Sequence, residues 1–133
     1  MKKETAATAE RLYHLLSQEL GEKFNPGTKI TDEIIKASNF IENALFSKDR
    51  LKSDYFEKRL GLPGCQIRRA IAYLRDNGVL IGSDNGGYYF IRSADDFRAT
   101  YNHLLCRATA ILYRARNLEK SWAKENQGEL WKK

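Results

Sequence analysis

Residues 53–91 read SDYFEKRLGLPGCQIRRAIAYLRDNGVLIGSDNGGYYFI. Ser53 is a good N-cap for a short helix, Asp54 to Leu60, with Tyr55, Phe56 and Leu60 as its apolar contacts. Gly61-Leu62-Pro63-Gly64 breaks that helix. From about Gly64 to Asn77, Ile67, Ala70, Ile71 and Leu74 recur at helical spacing. Proline suits a first helical turn because no amide donor is missed there, and Gly78 suits the left-handed position that ends a helix. Two short strands follow, Val79 to Gly82 and Tyr88 to Ile91. Ser83-Asp84-Asn85-Gly86-Gly87 joins them, and Asn-Gly tolerates positive φ at both residues, so a hairpin is expected. The loop is long enough that its turn need not be a tight two-residue one.

On the N-terminal side, Ala9, Leu12, Tyr13, Leu16 and Leu20 fall on one stripe of a helix from Thr5 to Leu20, and Gly21 stops it. A second helix begins at Thr31, with Asp32 and Glu33 suiting the positive end of its dipole. Its buried face is Ile34, Ala37, Ser38, Ile41 and Leu45. Residues 1–46 thus form a helical extension expected to pack on the central segment 47–92.

On the C-terminal side, Ser93 or Asp95 can cap a long helix over residues 93–123. Phe97, Tyr101, Leu104, Ala108, Ile111, Ala115, Leu118 and Trp122 alternate steps of four and three, a heptad seam. Two readings stand: the seam pairs two copies in a homodimer, or it closes the protein's own core against Leu12, Leu16 and Ile41. Arg107, Arg114 and Arg116 lie off the seam. Residues 124–133 read as a polar tail that frays.

The chain has 133 residues and a formal net charge of +6, an excess of cations that favours anionic partners. Cys65 and Cys106 are far apart and in no metal-ligand spacing, so both are read as reduced and the compartment as cytoplasmic. No apolar run reaches the length of a membrane helix, and no membrane partner is expected.

The ordered set Ser53 to Leu62, Ile67 to Gly78, then Ile81 and Gly87-Tyr88-Tyr89, resembles the winged helix-turn-helix of the bacterial biotin-ligase repressor type. In that type a leucine-glycine turn precedes a helix ending in leucine-arginine-x-x-glycine, then a strand and a glycine-tyrosine wing strand. Short winged-helix proteins of phage and prophage are similar too. The resemblance covers about a third of the chain. It implies a mainly α fold with a two-stranded β-wing, added N-terminal helices and a long C-terminal helix. It also implies a double-stranded DNA partner and a role as a transcriptional regulator or replication accessory protein. The chain departs from the family where Pro63-Gly64-Cys65 stands in place of the Ser or Thr that opens the recognition helix.

In such a motif the second helix lies in the major groove. With Ile67, Ala70, Ile71 and Leu74 inward, Gln66, Arg69 and Tyr73 face outward, flanked by Cys65 and Arg68. Arg bridges guanine O6 and N7, and Gln bridges adenine N6 and N7. Lys52, Lys58, Arg59 and Arg92 are placed for phosphates. The wing tip, Asp84-Asn85-Gly86, has no cation, and an acid there opposes deep insertion. The rival reading makes Arg68, Arg69 and Arg75 a solvated face and the scaffold a protein-interaction module, such as a phage inhibitor of a host system.

No catalytic chemistry has a signature here. His103 and Cys106 are spaced i, i+3, but two ligands do not make a zinc site. Asp95-Asp96 and Asp32-Glu33 open helices, where capping explains them. Neither enzyme activity, a metal nor a cofactor is expected.

Overall fold

The computed structural model describes residues 2–126, with side-chain surroundings from Thr8 onward. The chain is mainly helical. Its elements are α1 (Lys2–Leu20), a one-turn 3-10 helix (Gly21–Lys23), α2 (Asp32–Ser47), α3 (Ser53–Leu60), α4 (Gly64–Asp76), β1 (Ile81–Asp84), β2 (Gly87–Phe90) and α5 (Ala94–Glu125). It divides into two units, residues 1–97 and 98–133. No described helix is long and apolar enough to cross a membrane.

In the first unit the core is drawn from α2, α3, α4 and β1. Ala37, Ile41, Leu45, Phe56, Ile67, Ala70, Ile71, Leu74 and Ile81 form one buried cluster. The five residues expected on the buried face of α2 are all buried, and so are the four of α4. Thr31 caps α2, its Oγ1 accepting from the Ile34 amide at 3.1 Å. Ser38 stands where α2 meets α4: its hydroxyl donates to the Ile34 carbonyl at 2.7 Å and reaches the Ala70 carbonyl at 3.4 Å. A small side chain at each position lets the two backbones approach closely.

The termini of α3 and α4 explain the turn between them. Gly61 adopts φ 65°, and the amides of Gly61 and Leu62 both donate to the Glu57 carbonyl. Ser53 is not the cap of α3. It is the first helical residue, and its hydroxyl donates to Glu57 Oε2 at 2.8 Å. Lys52 takes the cap position in extended conformation because Leu51, just before it, is held in a β-bridge. Pro63, expected inside the first turn of α4, is its N-cap instead, with ψ 161°. At the far end Gly78 donates to the Arg75 carbonyl and Val79 to the Leu74 carbonyl, the paired closure of a Schellman motif. Asp76 Oδ2 accepts from the Thr28 amide and hydroxyl, which fastens the loop before α2 to the end of α4.

The two strands pair antiparallel, Ile81 with Phe90 through Asp84 with Gly87. The hairpin is shifted from the expected spans. Val79 is engaged in closing α4, so the first strand starts two residues later, and the ladder runs on through Asp84 to a two-residue turn. Gly87 carries the positive φ, 121°, and Gly86 does not. The Gly86 amide donates to Asp84 Oδ1 at 2.8 Å.

None of the described residues before α2 joins the core cluster. Tyr13 of α1 meets Phe24 edge-on at 4.9 Å, while Leu15 and Leu20 are exposed. Ser93 caps α5, accepting from the Asp96 amide, while Asp96 accepts from the Arg92 amide. The second unit is the body of α5. Residues 127–133, most of the polar tail, lie outside the described residues.

Candidate nucleic-acid interface

The face of α4 opposite its buried stripe exposes Cys65, Arg68 and Arg69. Neither arginine has an ion-pair partner among the described residues. Gln66 and Tyr73 are half-buried instead of facing outward beside Arg69. At 100° per residue both fall beside Ala70, on the flank of the buried stripe. The amides of Gly64 and Cys65 have no hydrogen-bond partner among the described residues, and the first α4 amides that do are those of Gln66 and Ile67, to the Pro63 carbonyl. An anion would find two free donors and the positive end of a helix dipole there. The Glu57 carboxylate and the Arg68 guanidinium both lie within 3.4 Å of where a Gly64 Cβ would stand.

The other cations divide. Lys52 and Lys58 are exposed at opposite ends of α3. The Arg59 guanidinium lies 3.8 Å from the centre of the Tyr55 ring. Arg92 is exposed between β2 and α5. Arg75 faces inward, donating to the Ile81 carbonyl at 2.9 Å and to Ser83 Oγ at 3.4 Å, so it ties α4 to the first strand. Lys52, Ser53 and Asp54 form one wall of a groove of about 350 Å³, and Ser83, Asp84 and Tyr88 line the other.

Two residues without a signal of their own in the sequence shape the hairpin. Leu51 pairs with Tyr88, donating at 3.1 Å and accepting at 2.7 Å, and adds a one-residue third strand. Arg50 lies across the outer face of the hairpin. Its guanidinium sits 4.2 Å from the Tyr89 ring centre and pairs with Asp84 at 3.0 Å. A Cβ on Gly86 would stand 2.7 Å from the Arg50 Cδ, and one on Gly82 2.5 Å from the Tyr89 ring. The Asp84 charge is therefore matched by a cation from outside the hairpin.

The dimerisation set lies along α5. Phe97 and Tyr101 are half-buried, and Leu104, Ala108, Ile111, Ala115, Leu118 and Trp122 are exposed. No family model, curated protein or solved structure matches the chain.

Proposed function

We propose that residues 47–92 are a winged helix-turn-helix and that the protein binds double-stranded DNA through α4. The observation that carries this is the presentation of α4. Its apolar stripe is wholly buried, while Arg68 and Arg69 are exposed and, among the described residues, have no ion-pair partner, as the two amides at its N-terminus have no acceptor. In this reading α4 enters the major groove with its N-terminal half against base edges. Arg69 and Arg68 contact guanine or phosphate, and Lys52 and Lys58 fix register on the backbone. Leu51 completes the wing sheet, and the Arg50–Asp84 pair removes the repulsion a bare carboxylate would exert on phosphate. The biological role that follows is transcriptional regulation or replication accessory work, of the kind small phage and prophage proteins perform.

The test is fluorescence anisotropy with a mixed-sequence duplex across a salt series, wild type beside Arg68→Ala/Arg69→Ala. Non-specific dissociation constants of about 10⁻⁴ to 10⁻⁶ M are expected, weakening linearly with salt on logarithmic axes. Each phosphate that the variant no longer touches lowers the salt slope by about one. A folded protein that binds no DNA at low salt overturns the proposal and favours the rival protein-interaction module.

A further inference from the structure

The DNA-binding proposal leaves the long helix α5 unused. Leu104, Ile111, Leu118 and Trp122 recur along one side of it, and each is between 42% and 74% exposed. An apolar stripe of this length on an exposed helix marks an interaction surface. Ala108 and Ala115 alternate with the large residues, so a second helix can approach closely.

The flanking charges decide what lies on the stripe. Arg107 and Arg114 immediately precede Ala108 and Ala115, and Glu119 immediately follows Leu118. Glu119 is the only acid between Asp96 and Glu125. Arg107, Arg114 and Glu119 have no ion-pair partner among the described residues. In a parallel pair of helices in register, a residue at the first of these flanks lies opposite the partner residue five positions further on. Arg114 then faces Glu119 of a second copy, and the two-fold axis repeats the pair. In an antiparallel pair the arginine flanks face each other and repel.

We infer that α5 associates with the α5 of a second copy as a parallel, in-register coiled coil over residues 104–122. The surface is built on α5 alone and is independent of DNA binding, so either idea can fail without the other. The pairing brings the two Ser93 ends together.

The experiment is analytical ultracentrifugation of the full chain with charge reversals, and cysteine cross-linking to fix the direction. Wild type sediments as a dimer. Glu119→Arg weakens association roughly tenfold, and Arg114→Glu added to it restores the dimer. In a Cys65→Ser/Cys106→Ser background, Leu118→Cys forms a disulfide-linked dimer on mild oxidation, since identical seam positions meet only in a parallel pair. Circular dichroism checks that each variant is folded, as its exposed site requires. A monomer up to the solubility limit overturns the inference. So does Leu118→Cys cross-linking only to an Ala108→Cys chain, the position it would face in an antiparallel pair, or a double reversal that leaves association as weak as the single one.

Discussion

Replacing Gly87 by Ala tests whether the hairpin depends on its third strand. Gly87 has φ 121°, a region essentially confined to glycine, and forcing a side chain there costs about 1–3 kcal/mol. The Cβ would also stand 2.4 Å from the Leu51 carbonyl oxygen, which is backbone and has no rotamer by which to yield. Leu51 must retreat, and its two hydrogen bonds with Tyr88, at 2.7 and 3.1 Å, stretch or break. Each is worth about 1 kcal/mol net. The expected loss is therefore about 3–5 kcal/mol, a large part of the 5–15 kcal/mol typical of a domain. Urea unfolding followed by far-ultraviolet circular dichroism measures it, and a slope of about 2 kcal/mol/M gives a midpoint drop of roughly 2 M. The control is Gly27→Ala, where φ is not positive and a Cβ meets nothing within 4 Å. That variant should match wild type or exceed it by a few tenths of a kcal/mol, on the order of the usual glycine-to-alanine gain. If Gly87→Ala loses no more than Gly27→Ala, Leu51 does not constrain the hairpin and the close approach is misjudged.

Four further outcomes are expected. Phe56→Ala empties a fully buried site and costs about 3–5 kcal/mol in the same unfolding assay. Thr31→Ala removes the α2 cap and costs about 1 kcal/mol, while Thr31→Ser retains most of it. Ser38→Ala is close to neutral, but Ser38→Leu drives volume against Ala70 and costs about 1–3 kcal/mol or prevents folding, read from the thermal midpoint. On the proposed DNA-binding reading, Arg50→Ala leaves Asp84 without its ion pair and weakens binding of the mixed-sequence duplex at low salt in the anisotropy assay, and Asp84→Asn added to it restores the affinity.

The buried faces of α2 and α4 were legible because they rest on a period of 3.6 within one element, where neighbours in sequence fix the answer. Gly78 was legible for the same local reason. The hairpin was found, but its first strand was misplaced by two residues and its second by one, since turn chemistry names a loop without saying which residues the preceding helix end has already claimed. Ser53 was misread because its role depends on Leu51, whose partner is Tyr88. Arg50 was invisible as a hairpin contact because Tyr89 and Asp84 are distant in sequence. At the candidate site, the exposure of Arg68 and Arg69 followed from periodicity, and the same 100° spacing sets Gln66 and Tyr73 beside Ala70, so their half-buried state was legible too and the outward reading overlooked it.

The Leu51–Tyr88 bridge also bears on the order of assembly. α3, α4 and the first strand lie wholly inside the loop that runs from residue 51 to residue 88, and they follow one another closely in sequence. Local contacts of that kind form fast, whereas the bridge pays a closure entropy that grows with the logarithm of the enclosed length. It is best formed after α3, α4 and the hairpin have condensed, when the loop is already short in space. A weakened bridge then leaves the folding rate nearly unchanged and raises the unfolding rate, so Leu51 and Gly87 act as the latch that sets the lifetime of the folded hairpin.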